Sequence, residues 1–156
     1  MGDVANAALA AGGEVIGVMP RAMIVEERSH GGLTELITVE TMHERKYRMA
    51  QLADAFVALP GGIGTLEEVI EMFTWRQLGL HLKPVGLLNA EGYYDLLLQF
   101  LAHMRDQRFL TTDHHAMLVV ATDAESLLDK LAVIQPVHLP KPIERQNITT
   151  RGGELR

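Results

Sequence analysis

The sequence predicts an α/β fold with three layers, α/β/α, built around a mainly parallel sheet. Two observations lead to this prediction. Short apolar runs such as 15–19, 55–59 and 84–88 contain almost no polar residues, which is typical of strands buried on both faces of a parallel sheet. The longer segments between them carry apolar residues at helical spacing, and this alternation predicts parallel pairing through crossover helices.

The individual elements follow from local signals. Residues 3–11 are rich in alanine and are followed by Gly12 and Gly13, a typical end of a helix. The segment 93–108 is predicted to be a long amphipathic helix, with one face formed by Leu97, Phe100, Leu101 and Met104. In chain order the predicted elements are helix 3–11, strand 15–19, a charged and partly helical loop 21–32, strand 34–39, helix 41–52, strand 55–59, helix 66–78, strand 84–88, helix 93–108, strand 117–121 and helix 124–134.

Composition limits the classes of function. The 156 residues carry a formal net charge of −6 and include 5% aromatic residues, and without a basic stripe this argues against nucleic-acid binding. The sequence has no cysteine, which excludes disulfides and cysteine-based metal sites, and its histidines form no metal-ligand pattern. No apolar run is long enough to span a membrane and no secretory leader is recognisable, so we expect a cytoplasmic protein.

We expect one folded domain over residues 1–135 and a separate tail over 136–156. The tail contains Pro136, Pro140 and Pro142, and its remaining residues are mostly polar. Such a composition can bury little apolar surface, so the tail is expected to be extended and mobile.

The most informative segment is the glycine-rich stretch 59–68, which joins a predicted strand to a predicted helix. Such a turn presents backbone N–H groups and the positive end of a helix dipole, which together favour an anion such as phosphate. A structural interpretation competes with this one, because Thr65 and Glu68 have the spacing of a helix capping box. The stretch also lacks the lysine of a P-loop and the third glycine of a dinucleotide fingerprint.

Two motifs at their expected separation make the chain resemble the LOG (Lonely Guy) family. Residues 60–68 match the family signature P-G-G-x-G-T-x-x-E, and residues 42–46 match its M-H-x-R-K segment. Further matches lie at 13–20, 33–36, 74–79, 83–89 and 92–94, so the resemblance covers roughly 1–135. It implies a Rossmann-like domain with the family's activity, that of a cytokinin riboside 5′-monophosphate phosphoribohydrolase. That activity hydrolyses an N-glycosidic bond to free base and ribose 5-phosphate, without a metal or cofactor, in a homodimer.

The start of the chain resembles the middle of the family pattern. Residues 1–4, Met-Gly-Asp-Val, correspond to the family's G-L-M-G segment. The resemblance therefore implies that a preceding segment, with two strands, a helix and a nucleotide-contacting turn, is missing from this sequence. A sheet without those strands would expose unpaired backbone, so we expect lower stability and activity if the protein is this short.

The resemblance implies catalytic roles for Arg45 and Glu68. Cleavage of a nucleoside passes through an oxocarbenium-like ribose, which a nearby carboxylate can stabilise or supply with activated water. We expect Glu68 in the first turn of its helix, where the dipole favours a negative charge. A guanidinium is permanently charged and suits phosphate or a departing anion. The competing interpretations are a capping role for Glu68 and a solvated surface charge for Arg45.

The resemblance also implies a set of substrate contacts. Thr74 belongs to it, although a threonine within a helix can instead bond to its own backbone. The complete set is Glu27, Arg45, Lys46, Gly62, Ile63, Gly64, Thr65, Leu66, Glu67, Glu68 and Thr74.

Other functions stay open at this point. AMP itself could be the substrate, which would make the protein an AMP nucleosidase. A non-catalytic nucleotide-binding module could have the same fold; the presence of both Arg45 and Glu68 argues against it, and the missing segment argues for it. Lysine decarboxylase, a label attached to such sequences, is disfavoured because that chemistry usually needs a pyridoxal phosphate lysine. None of the lysines lies in a recognisable cofactor motif: Lys46, Lys83, Lys130 and Lys141.

Overall fold

The computed structural model describes residues 2–24 and 32–134. It divides into two compact units, Met1–Ala53 and Asp54–Arg156. Both units combine helices with parallel strands, so the predicted α/β class is confirmed. Glu27 and the predicted tail 136–156 lie outside the described residues.

The first unit contains one parallel strand pair and its flanking helices. Strand β1 pairs with β2 so that Ile16 lies opposite Glu35 and Pro20 opposite Val39. The elements are α1 Gly2–Ala10, β1 Ile16–Pro20, α2 Arg21–Ile24, β2 Glu35–Val39 and α3 Met42–Leu52.

The second unit contains a three-stranded parallel sheet in the order β3-β4-β5. Its elements are β3 Phe56–Ala58, α4 Ile63–Gln77, β4 Val85–Leu88, a 3-10 turn Ala90–Gly92, α5 Asp95–Asp106, α6 Thr112–Ala116, β5 Leu118–Ala121 and α7 Ala124–Ala132. Because the strands are parallel, the chain leaves β3 and β4 at the same edge of the sheet. The segments that follow these two strands are therefore neighbours.

The centre of this sheet is the short apolar strand β4. Val85 and Leu87 are 0% and 1% exposed, and they share one face because side chains alternate along a strand. Gly86 faces the other side, where an added Cβ would lie 3.0 Å from Leu127 Cδ1 and 3.2 Å from Leu131 Cδ1. Helix α7 therefore packs directly on the backbone of β4, which a larger residue at this position would prevent.

Three predictions of local structure need correction. Helix α4 begins at Ile63 with Gly62 as its N-cap, so Thr65 lies inside the helix and the predicted capping box does not form there. The predicted helix 93–108 is shorter, because a 3-10 turn with left-handed residues precedes α5. Helix α6 was not predicted, since five residues, Thr112–Ala116, are too few for an apolar period to show.

His81 connects α4 to the segment that leads into β4 by two hydrogen bonds. The Lys83 N–H donates to His81 Nδ1 at 3.2 Å, and His81 Nε2 lies 2.9 Å from the Met72 carbonyl. An amide N–H can only donate, so Nδ1 is the acceptor and Nε2 carries the proton given to Met72. This arrangement uses the neutral imidazole. Burial lowers the pKa of His81 from its ordinary 6.5, and the charges of Lys83 and Arg76 act in the same direction.

This histidine is expected to make stability depend on pH. The lowered pKa means that the unfolded chain takes up a proton more readily than the folded one. The contribution of His81 to the free energy of unfolding is therefore complete above about pH 6.5 and declines as the pH falls towards the folded-state pKa. Urea unfolding of the native protein and His81→Gln between pH 7.5 and 5 checks this. The variant should show the weaker pH dependence; equal slopes would contradict the expectation.

Candidate active site

The N-terminus of α4 is an anion-binding arrangement built from backbone groups. The N-cap Gly62 has extended backbone angles and offers no side chain, and the first helical hydrogen bond runs from Leu66 N to the Gly62 carbonyl at 3.1 Å. The N–H groups of Ile63, Gly64 and Thr65 precede this bond and have no acceptor within the helix. They point out of the helix end together with the positive end of its dipole, which suits phosphate.

Two glycines of this turn are not required by the packing of the chain itself. An added Cβ at Gly62 or Gly64 would meet nothing within 4 Å among the described residues. Gly61 is different, because a Cβ there would lie 2.4 Å from Thr65 Oγ1. A glycine inside a helix costs roughly 0.5–1 kcal/mol relative to alanine. The space beside the exposed Gly62 and Gly64 is open, so a ligand could approach the backbone closely there.

Glu68 lies on the same side of α4 as this empty space. Gly64 and Glu68 are four residues apart, and side chains on a helix lean towards its N-terminus. Glu68 is half-buried, and its neighbour one turn towards the N-terminus of the helix, Gly64, has no side chain. Because α4 begins at Ile63, Glu68 is in the second turn of this helix. The prediction that it lies in the first turn was wrong. The dipole consequently acts on it less strongly than the sequence suggested.

The remaining predicted contacts of α4 differ in their surroundings. Ile63 is 83% exposed at the first position of the helix, an unusual place for a large apolar side chain. Thr65 and Leu66 are half-buried and Glu67 is exposed. Thr74 lies roughly 15 Å further along the helix axis than Gly64. Its hydroxyl donates to the Ile70 carbonyl at 2.7 Å, which is the alternative that the sequence left open.

In the first unit, Arg45 and Lys46 are placed by a well-capped helix. Thr41 caps α3 by accepting from Glu44 N at 3.1 Å, and Glu44 Oε2 accepts from Glu40 N at 2.9 Å. This pattern fixes where the helix begins and hence which way its next two residues point.

The surroundings of Arg45 are not those of a solvated surface charge. The guanidinium is half-buried, and its Nε donates to the carbonyl of Val18 in β1 at 3.1 Å. A second nitrogen lies 3.6 Å from Met42 Sδ. Lys46 is only 9% exposed. The first unit therefore holds two adjacent cations in defined positions on α3, where an anionic group of a ligand could be bound.

Sequence reasoning did not assign a role to Tyr93 and Tyr94, which contact the glycine-rich turn. Tyr93 Oη donates to the Gly61 carbonyl at 2.7 Å, and Tyr94 Oη donates to the Leu59 carbonyl. The residues are separated by more than thirty positions along the chain, so no local pattern indicates these bonds. The only signal was the presence of both tyrosines in a segment that resembles the family.

The described part of the chain contains neither a candidate metal site nor a candidate membrane-spanning helix. Within residues 2–24 and 32–134, no three acidic or histidine side chains are grouped so that they could hold a metal ion. Over the same ranges, no helix has the length and apolar character needed to cross a membrane.

Comparison with known proteins gives a consistent set of relatives. A family model described as "Possible lysine decarboxylase" matches residues 1–131. A probable cytokinin riboside 5′-monophosphate phosphoribohydrolase of Oryza sativa subsp. japonica is 50% identical over 137 residues, which are 88% of this chain and 60% of the relative. A cytokinin riboside 5′-monophosphate phosphoribohydrolase of Rhodococcoides fascians is 48% identical over 129 residues, 82% of this chain and 65% of the relative.

A relative of the same name in Arabidopsis thaliana is 44% identical over 138 residues, which cover 88% of this chain and 65% of the relative. The chain thus spans about three-fifths of the length of these curated proteins.

Proposed function

The chain belongs to the LOG family, and from this premise we propose that it hydrolyses the N-glycosidic bond of cytokinin riboside 5′-monophosphates. The products would be the free base and ribose 5-phosphate. The observation that carries the proposal is the glycine-rich N-terminus of α4, which combines backbone donors for phosphate with a carboxylate on the same side of the helix. The names of the curated relatives supply the reaction.

The proposed reaction assigns one role to each part of the turn. The 5′-phosphate binds at the N–H groups of residues 62–65, as anions do at helix N-termini. As the bond between C1′ and the base nitrogen breaks, its electron pair leaves with the base and positive charge develops on the ribose. The Glu68 carboxylate stabilises this charge and accepts a proton from the water that attacks C1′. The departing base takes up a proton and leaves as a neutral molecule.

Arg45 and Lys46 supply the positive charge in this proposal. With a net charge of −6, the protein as a whole does not attract an anionic substrate. Local cations must therefore hold the phosphate or the departing base. The contact of the Arg45 Nε with the Val18 carbonyl fixes where this guanidinium lies on α3. Glu27 and Thr74 complete the proposed set of substrate contacts, which otherwise comprises Arg45, Lys46 and residues 62–68.

The activity named in the family description fits these residues less well. A pyridoxal phosphate decarboxylase needs a lysine that forms a Schiff base with the cofactor. No lysine lies in the sequence between Lys46 and Lys83, so the glycine-rich turn has none of its own. Lys130 donates to the Val120 carbonyl from an exposed position on α7. We therefore follow the names of the curated relatives.

Two further expectations are part of the proposal. By analogy with the family we propose a homodimer, and from composition we propose a cytoplasmic location. Size-exclusion chromatography with light scattering checks the first of these. A mass near twice 17.2 kDa would support a dimer of this chain, and a monomer mass at micromolar concentration would contradict it.

The test of the function is base release by the purified chain from two substrates, AMP and isopentenyladenosine 5′-monophosphate. Chromatography should show base and ribose 5-phosphate in equal amounts. The ratio of the two rates distinguishes a cytokinin-activating enzyme from an AMP nucleosidase. Nucleoside with inorganic phosphate would reveal a phosphatase instead. A folded protein that binds AMP and releases no base from either substrate would be a nucleotide-binding module, and the hydrolase proposal would be rejected.

A further inference from the structure

We propose that Tyr93 and Tyr94 are positioning residues, whose hydroxyl groups orient the peptide units of the glycine-rich turn for a phosphate-bearing ligand. This inference rests on the proposed function for the identity of the ligand. It goes beyond that function in assigning a task to two residues that lie outside the turn and outside α4.

A buried asparagine lies directly after β4. Asn89 is 7% exposed, and its backbone N–H donates to the Ala121 carbonyl at 2.8 Å. Its side-chain nitrogen donates to Asp95 Oδ1 at 2.8 Å, and its side-chain oxygen accepts from Tyr94 N at 2.7 Å. The backbone and the side chain of Asn89 are therefore both hydrogen-bonded, and these bonds connect the turn that carries the tyrosines to the sheet.

The turn itself adopts a conformation that costs free energy. Glu91 and Gly92 have φ of 51° and 74°, two consecutive residues in the left-handed region. A residue with a side chain in this region costs roughly 1–2 kcal/mol. Gly92 has an additional constraint, because an added Cβ would lie 2.6 Å from Asp95 Oδ2. Strain of this kind persists only when the surroundings impose it, and it is concentrated at functional sites.

The result of this strained turn is that two adjacent tyrosines point at one short segment. Their rings form an edge-to-face pair with centroids 5.0 Å apart. The hydroxyl of Tyr94, which is 5% exposed, donates to the Leu59 carbonyl, and the hydroxyl of Tyr93 donates to the Gly61 carbonyl at 2.7 Å. Burial raises the pKa of Tyr94, so its hydroxyl stays protonated and able to donate.

Planarity of the peptide bond converts the Tyr93 contact into control of a donor, whereas Tyr94 fixes the unit between Leu59 and Pro60, which carries no N–H. The Gly61 carbonyl and the Gly62 N–H belong to one trans peptide unit, so they point in opposite directions. A hydroxyl that holds the carbonyl oxygen therefore also fixes the direction of the Gly62 N–H. Glycine has an unusually wide choice of backbone angles, so this turn needs such an external restraint more than others do.

A positioning role for Tyr93 predicts weaker ligand binding without a loss of stability, whereas a purely structural role predicts a loss of stability. Tyr93 is 56% exposed, and an exposed hydrogen bond contributes little to stability. Tyr93→Phe is therefore expected to leave the melting temperature unchanged while weakening AMP binding about three- to tenfold, the range of one typical hydrogen bond. Adenosine lacks the phosphate, so its affinity should not change. Tyr94→Phe leaves a partly buried carbonyl without its donor and is expected to lower the melting temperature as well.

The experiment is calorimetric titration of AMP and adenosine into the full chain, Tyr93→Phe and a control, Tyr47→Phe. Tyr47 is 57% exposed in α3, so the control removes an equally exposed hydroxyl. We expect loss of AMP affinity only in Tyr93→Phe. The inference is overturned if Tyr93→Phe binds AMP as the native protein does, if adenosine weakens equally, or if the native protein binds both ligands alike.

This design separates the inference from the proposed reaction. Binding is measured on proteins that all carry Glu68→Gln in addition, so that hydrolysis of AMP adds no heat, whereas the hydrolase proposal is judged by base release from the native protein. If the native protein releases base and Tyr93→Phe has unchanged AMP affinity, only the positioning role is rejected. Weaker AMP binding in Tyr93→Phe, with no base released by the native protein, rejects only the hydrolase.

Discussion

Replacement of Glu68 by glutamine is expected to reduce the rate of base release by about 100- to 10,000-fold, the range typical of a positioned acid–base group. Glutamine has nearly the same shape and cannot accept a proton from water or balance the positive charge on the ribose. The phosphate contacts to the turn do not involve this side chain, so AMP affinity should change little. The loss should therefore appear in kcat with KM nearly constant.

The control for this variant is Glu125→Gln, which removes a carboxylate from the exposed first turn of α7. Glu125→Gln should keep the native rate of base release. That result would exclude the change in net charge as the cause of the loss in Glu68→Gln. The catalytic role of Glu68 would be refuted if Glu68→Gln retained more than about a tenth of the native kcat, since acid–base groups are worth more than that. Circular dichroism and the melting temperature of each variant show whether the fold is preserved.

Replacement of Gly64 by alanine is expected to have opposite effects on stability and on activity. Gly64 is the second residue of α4, where alanine favours the helix by roughly 0.5–1 kcal/mol, and no described atom lies near the added Cβ. The melting temperature should therefore rise by about 1–4 °C. The same methyl group occupies the space between the turn and Glu68, and a displacement of about 1 Å can cost a reaction roughly 100-fold.

A matched variant on the same turn should behave differently. In Gly61→Ala the added Cβ would lie 2.4 Å from Thr65 Oγ1, and such overpacking typically costs about 1–3 kcal/mol. This variant should lose stability as well as activity. Thermal unfolding and kcat/KM of the two variants provide the comparison. A Gly64→Ala protein with native kcat/KM would show that the ligand does not use the space beside this glycine.

The sequence was sufficient to predict most elements of the fold, because each had a local signal. The strand that contains Val85 and Leu87 was predicted from an uninterrupted apolar run, and both residues are buried. The start of α4 was predicted three residues too late. Glycine and proline in the preceding stretch are typical of turns, and nothing in the sequence indicates that Gly62 already acts as a cap. The shift also changed the helical turn assigned to Glu68.

The site was predictable only where residues adjacent in sequence build it. The turn and the pair Arg45 and Lys46 were recognised from motifs. The contact of Arg45 with the Val18 carbonyl joins residues 27 positions apart, and the tyrosine contacts join still more distant ones. Such contacts depend on how the chain returns to the sheet, which a pattern of single residues does not encode. The hydrogen bond between Thr74 and Ile70 was foreseen as an alternative, because it lies within one helix.

The link between the segments after β3 and β4 has a consequence for the timing of the proposed catalytic cycle. Many enzymes enclose a phosphate with a loop that must close in each turnover and reopen to release product. Here Tyr93 and Tyr94 connect Gly61 and Leu59 to a turn that is itself anchored to a buried strand. This part of the site is thus set before the ligand arrives. In the proposed reaction, little ordering entropy would then be lost on binding, and the arrival and departure of ligand would not have to wait for this turn to move.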